Sequence, residues 1–263
     1  MAAEKRPTGS GGTPVRAPGL PEIRAAAERL NGVAVRTPLV PLHSFETTSD
    51  ILLKPETLQP VGSYKLRGAY NWAASLSEGE RARGFSTHSA GNTAQALGYV
   101  ARLFNVPARS LLPEDAPKVK IDGVKSYGVA PVPLPFGELL NFVFESRWEH
   151  EPYSFLNPWG DENMLAGNAT IGLEIFEDLP NVDSVYVPVG GGGLVGGIGS
   201  AVKALKPTAR VIGVQSESCP SLFASLKAGG PTWVESMPTI CDGTIVPLIV
   251  DEMYPLLRQV GDD

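Results

Sequence analysis

Ser184-Val185-Tyr186-Val187-Pro188-Val189-Gly190-Gly191-Gly192-Gly193-Leu194-Val195 runs from an apolar, β-branched stretch through four glycines into a second apolar stretch. The first part reads as a buried strand and the part from Leu194 to Leu205 as a helix. A strand, a glycine turn and a helix make half of a βαβ unit, and the next apolar run, Arg210 to Val214, supplies the second strand. Working outward, the same alternation recurs. Strands are expected at Ile51–Leu53, Ser110–Leu112 and Val129–Leu134. Helices are expected from Pro21 to Leu30, Leu66 to Leu76, Asn92 to Phe104, Lys118 to Tyr127, Leu139 to Trp148, Thr170 to Leu179 and Ser221 to Ala228. In the helix from Asn92, the residues Ala94, Leu97, Ala101 and Phe104 share one face. Strands separated by helices predict an α/β fold with parallel sheets, and such sheets bind ligands in the turns after their strands.

Composition narrows the function. The 263 residues carry a net charge of −6, and Lys and Arg are scattered, which gives no footprint for nucleic acid or an anionic membrane. No apolar run approaches the roughly 20 residues of a membrane span, and the N-terminus lacks the apolar core of a signal peptide. The cytoplasm is the expected compartment. Residues Met1 to Pro18, rich in Gly, Pro and charge, are expected to form a disordered tail. Cys219 and Cys241 are read as free thiols, and His43, His88 and His150 lack ligand spacing, so no metal site is expected.

Three loops can carry chemistry. Gly190 to Gly193 precede the first turn of a helix, whose free N–H groups and dipole favour a phosphate; without a ligand, the same glycines make a tight turn. Gly191, Gly193 and Gly196 also fit G-x-G-x-x-G, with Glu217 downstream to hold a ribose, so a dinucleotide enzyme is a rival reading. Ser86-Thr87-His88-Ser89-Ala90-Gly91-Asn92-Thr93 sets small hydroxyls before a helix, an arrangement that either caps the helix or grips a substrate carboxylate. Gly62-Ser63-Tyr64-Lys65-Leu66-Arg67-Gly68-Ala69 holds a lysine between a strand and a helix, which is either a surface charge or an amine ready to attack a carbonyl. A phosphate cradle, a carboxylate clamp and an amine together suit pyridoxal phosphate better than a dinucleotide.

The run from Lys54 to Ala69 closely resembles the Schiff-base lysine motif of the threonine/serine dehydratases, fold type II pyridoxal-phosphate enzymes related to tryptophan synthase β. Ser89-Ala90-Gly91-Asn92 resembles their substrate loop and Gly190 to Gly193 their tetraglycine phosphate loop. Ala166 to Glu174 and Thr239 to Gly243 resemble further segments. The resemblance implies two open parallel-sheet domains with helices on both faces and the cofactor between them. The small domain would span residues 84–153 and the large one 19–83 and 154–263. It implies Lys65 as catalytic residue and cofactor anchor, and Tyr64, Asn92, Gly190, Gly191, Gly192, Gly193 and Leu194 about the cofactor. Ser89, Ala90, Gly91, Asn92 and Thr93 would bind the substrate. The implied reaction is α,β-elimination of threonine or serine to a 2-keto acid and ammonia, with a small amino acid as partner; homodimers are common in the family.

Departures from the pattern qualify the substrate and the reaction. Tyr64 stands where Phe is usual, Thr93 where His is frequent, and Asn168-Ala169 where Gln-Gly is usual. Ala90 occupies the position of the second serine that racemases use on the opposite face, which favours elimination over racemisation. The chain stops at Asp263, whereas the family continues with segments that supply a Ser or Cys to the pyridine nitrogen. It is therefore read as a fragment, a truncated product or a degraded paralogue, with β-replacement, racemisation or a non-catalytic role as alternatives.

Overall fold

The computed structural model describes residues 13–43 and 50–262. In chain order they form α1 (Leu20–Leu30), β1 (Val40–Pro41), β2 (Leu52–Leu53), α2 (Lys65–Ser75), α3 (Glu78–Ala82), β3 (Phe85–His88) and α4 (Asn92–Phe104). There follow β4 (Ala108–Pro113), α5 (Lys118–Ser126), β5 (Val129–Leu134), α6 (Phe136–Phe144), β6 (Ser154–Leu156) and α7 (Glu162–Asp178). The last elements are β7 (Ser184–Pro188), α8 (Gly193–Leu205), β8 (Arg210–Val214), α9 (Ser221–Ala228) and α10 (Tyr254–Val260).

The fold is α/β, as expected. Four strands pair in parallel in the order β5-β4-β3-β6, with Phe85 opposite both Ala108 and Ser154. A second parallel pair joins β7 to β8 with Val185 opposite Val211. The short ribbon β1–β2 is antiparallel, with Val40 opposite Leu53. The two largest apolar clusters among the described residues lie against these sheets. One gathers Val185, Val187, Val195, Ile198, Val211, Met253 and Leu257 around α8. The other gathers Leu66, Trp72, Phe85, Leu97, Val100 and Leu156 around α2 and α4.

Several expected boundaries move, each for a local reason. The helix expected from Thr170 begins at Glu162, because the Asp161 carboxylate accepts the Met164 N–H at 2.9 Å and caps two extra turns. Those turns tolerate Gly167 because a Cβ there would stand 2.4 Å from the Arg67 carbonyl oxygen; only glycine lets α7 cross α2 this closely. The helix expected at Leu139–Trp148 starts at Phe136 and ends at Phe144, and Ser146, with φ 50°, turns the chain into a short 3₁₀ segment at Arg147–His150. Strands β3 and β6 lie outside the expected set: they are four and three residues long and carry no alternation that could be read. Of the expected tail Met1–Pro18, residues 1–12 lie outside the described residues. Residues 13–18 are fixed rather than loose, because Val15 is buried and its N–H donates to the Glu252 carbonyl at 2.8 Å.

One polar network lies inside the fold. The Arg67 side chain, 2% exposed, donates to Glu56 through Nε and Nη2 and to Glu174 through Nη1 and Nη2, with further bonds to Thr170 Oγ1 and the Val35 carbonyl. Lys54 Nζ closes the network on Glu174 at 2.5 Å. Burial alone would push the guanidinium down, but its hydrogen bonds to both carboxylates reverse this and hold it above its ordinary value. Two cations and two carboxylates thus balance in a dry site, and they fasten the segment before Lys65 to α2 and α7.

Candidate active site

The three loops singled out in the sequence follow different segments and share neighbours in the fold. Lys65 is the first residue of α2 and is half-buried, with Nζ 5.0 Å from the centroid of the Tyr64 ring. Tyr64 packs against the apolar cluster around α8 that contains Leu194 and Val195.

The second loop leaves the carboxyl end of β3. Ser89 is held by its neighbour strand: its N–H donates to the Leu111 carbonyl at 3.0 Å, and Ser110 Oγ donates to the Ser89 carbonyl at 2.6 Å. The Ser89 hydroxyl accepts the Gly91 N–H at 3.1 Å, a tight turn that starts α4 at Asn92. Ser89, Ala90 and Gly91 are half-buried, Asn92 is exposed and Thr93 is buried.

The third loop, Val189 to Gly192, opens α8. Gly192 has φ 96° and sits on Leu257, whose Cδ1 would lie 2.7 Å from an added Cβ. The loop rests on Trp159, next to Gly191, and on the segment of Thr244 and Val246, next to Gly190. Gly190 and Gly191 are half-buried, whereas Gly192, Gly193 and Leu194 are buried. The first N–H groups of α8 have no acceptor within their own helix, and the dipole adds to their affinity for an anion.

Residues that the sequence reading did not assign to the site join these loops. The Trp159 ring stands edge-on to His88, with centroids 6.1 Å apart, and so ties the Ser89 loop to the glycine loop. Trp159 follows β6, a strand too short to read, which is why its place escapes the sequence. Asn168, on α7, is fully buried; its Nδ2 donates to the Gly193 carbonyl at 3.1 Å. A buried amide in an apolar helix is the available signal. Lys120 of α5 pairs with Asp242 at 2.9 Å, joining the four-stranded unit to the segment beside Gly190.

His88 Nδ1 is buried without a hydrogen-bond partner among the described residues, and burial pushes the imidazole down to about 4. The ring is therefore neutral at pH 7. Its folded pKa lies below its unfolded value, so the stability it confers is complete above about pH 6.5 and is lost as the pH falls towards about 4. Between pH 7 and pH 5 this loss should be on the order of 1–2 kcal/mol. Urea unfolding of His88→Gln should show a shallower dependence over that interval than the parent chain; equal slopes would refute the buried neutral ring.

A family model described as pyridoxal-phosphate dependent enzyme matches residues 30–263. The chain belongs to that family. It is 42% identical over 249 residues to an L-threonine ammonia-lyase of Thermotoga maritima, and this alignment covers 93% of the chain but 62% of that protein. It is 38% identical over 247 residues to the catabolic L-threonine dehydratase TdcB of Escherichia coli, covering 92% of the chain and 74% of the relative. Among solved structures it is similar to a T.th. threonine deaminase, with TM-score 0.84, 32% identity and coverage of 93% and 80%. The serine racemase of Dictyostelium discoideum matches with TM-score 0.83, 29% identity and coverage of 94% and 80%. These neighbours are fold type II pyridoxal-phosphate enzymes.

The residues present fit the family's cofactor. Backbone N–H groups at a glycine turn suit a phosphate, a half-buried amine heads α2, and two buried polar atoms, His88 Nδ1 and Asn168 Oδ1, lack protein partners among the described residues. Those residues contain no cluster of three His, Cys, Asp or Glu side chains able to hold a metal, and no helix long and apolar enough to cross a membrane.

Proposed function

We propose that this chain carries out the α,β-elimination of a hydroxy amino acid, threonine or serine, to a 2-keto acid and ammonia. What supports the reading is that shared neighbours link the segments that carry Lys65, the Ser89–Thr93 loop and the Gly190–Gly193 turn: Asn168 lies between Gly68 of α2 and Gly193, and Trp159 between His88 and Gly191. The threonine ammonia-lyase and dehydratase relatives support it, although the chain spans only 62% of the length of the first of them.

When bound, pyridoxal phosphate supplies an electron sink for the charge left at the substrate Cα. The backbone N–H groups of Gly190 to Gly193 and Leu194 would bind its phosphate at the start of α8, Asn92 would hydrogen-bond its 3-hydroxyl, and Tyr64 would lie beside its ring. Lys65 Nζ would hold it, and the Lys65 amine would be the base that takes a proton from the substrate Cα. Ser89, Ala90, Gly91, Asn92 and Thr93 form the loop that receives the substrate carboxylate, with hydroxyls from Ser89 and Thr93 and the amide of Asn92 as donors. Ala90 has no proton to deliver, so the face opposite Lys65 has no acid at that position, and departure of the β-hydroxyl is favoured over racemisation.

The same reading places the site between a small domain at 84–153 and a large one at 19–83 and 154–263, in a cytoplasmic enzyme that pairs as a homodimer. The test is an absorbance spectrum of the purified chain with and without pyridoxal phosphate, before and after borohydride, followed by product analysis from threonine and serine. A cofactor-dependent band fixed by borohydride, with keto acid as product, is expected. Racemised serine as the main product, or no band, would refute the elimination reading.

A further inference from the structure

Asn168 touches both ends of the site from behind. Its Nδ2 donates to the carbonyl of Gly193, the last glycine of the turn, and since that carbonyl can only accept, the amide oxygen must point the other way. Oδ1 faces α2: a Cβ on Gly68 would lie 2.8 Å from it, and Gly68 is one helical turn beyond Lys65. The oxygen is buried and has no partner among the described residues. The backbone is equally constrained, because a Cβ on Gly197 of α8 would lie 2.9 Å from the Asn168 Cβ. The side chain therefore occupies the narrow space between the helix that begins at Lys65 and the helix that begins at the glycine turn.

A buried amide with an orphaned oxygen costs stability that an apolar group of the same size would not. Leucine is nearly isosteric and would fill the same space. We propose that Asn168 is a positioning residue that fixes the separation between the phosphate-binding turn and the Lys65 amine. This rests on the cofactor reading above. A cofactor held at its phosphate reacts with Lys65 only if its aldehyde carbon arrives within bonding distance of Nζ. A misplacement on the order of 1 Å is enough to lose most of that advantage.

Two ligands separate the roles. Pyridoxine 5′-phosphate carries the ring and phosphate but an alcohol in place of the aldehyde, so it reports on the glycine turn alone. Pyridoxal phosphate reports on the turn and Lys65 together, through its absorbance band. For Asn168→Leu, the dissociation constant of pyridoxal phosphate should rise by at least about tenfold. That of pyridoxine 5′-phosphate should stay within about twofold of the parent value. The thermal midpoint should be unchanged or higher, since an orphaned polar atom has been removed. Asn168→Gln, which keeps the amide, should restore much of the covalent uptake. If Asn168→Leu does not fold, Asn168→Ala is read by the same two constants. Equal weakening of both ligands, or no change in either, overturns the positioning role while leaving the cofactor reading intact. A parent chain that binds pyridoxine 5′-phosphate but never forms the covalent band overturns both.

Discussion

Replacing Lys65 by alanine should abolish the absorbance band of the lysine-bound cofactor and reduce keto-acid formation by at least about a hundredfold, the lower end of what a positioned general base contributes. On the function proposed above the effect is large because one amine would have two duties, to hold the cofactor and to take the proton from the substrate Cα. Its surroundings give no substitute. Tyr64 is the aromatic neighbour of Nζ, Leu66 and Ala69 are buried apolar residues, and the adjacent cation, Arg67, is committed to two carboxylates. Stability should change little, since Lys65 is half-buried and forms none of the ion pairs within the fold. Pyridoxine 5′-phosphate should still bind, because the glycine turn is untouched. A Lys65→Ala chain that keeps the band would refute the assignment of this lysine.

Arg67→Met should lower the unfolding free energy by about 3–5 kcal/mol, the usual cost of removing one partner from a buried ion pair. The corresponding fall in thermal midpoint is about 10 °C for a chain of this size. Methionine fills much of the space but leaves Glu56 and Glu174 facing a single cation, Lys54. It also strips donors from Thr170 Oγ1 and the Val35 carbonyl. The argument has an internal control. Adding Glu56→Gln to Arg67→Met leaves Lys54 and Glu174 as one balanced pair, so the double variant should recover part of the loss. Calorimetric scans of the single and double variants check both statements; a double variant less stable than Arg67→Met alone would contradict the charge-balance account.

The sequence reveals the chemistry-bearing loops better than the contacts between them. The strand β5 and the helix α9 have the boundaries that the sequence implies, because Gly128 and Pro135 flank the one and Pro220 and Gly229 the other. The start of α7 escapes the pattern since Gly167 and Asn168 look like interruptions when α2 is out of view. Only the close crossing explains why a glycine and a buried amide belong there. His88 reads as an isolated histidine; its character depends on Trp159, 71 positions further along the chain. The Arg67 network draws on Val35, Lys54, Glu56, Thr170 and Glu174, and no local pattern announces a set of partners so widely spaced. Periodicity reports which face of an element is buried, not what it is buried against.

The crossing of α7 with α2 at Gly167, and with α8 at Gly197, also bears on how this scaffold can diversify. At Gly197 an added Cβ would meet the Leu165 carbonyl at 2.7 Å, and backbone atoms cannot rotate out of the way as a side chain can. Saturation libraries over the three central helices would thus be largely dead at these positions, and selection could alter substrate choice only through the loops. The half-buried Ala90 lies on such a loop, outside the helix crossing, so new specificities would accumulate there without loosening the packing of α2, α7 and α8.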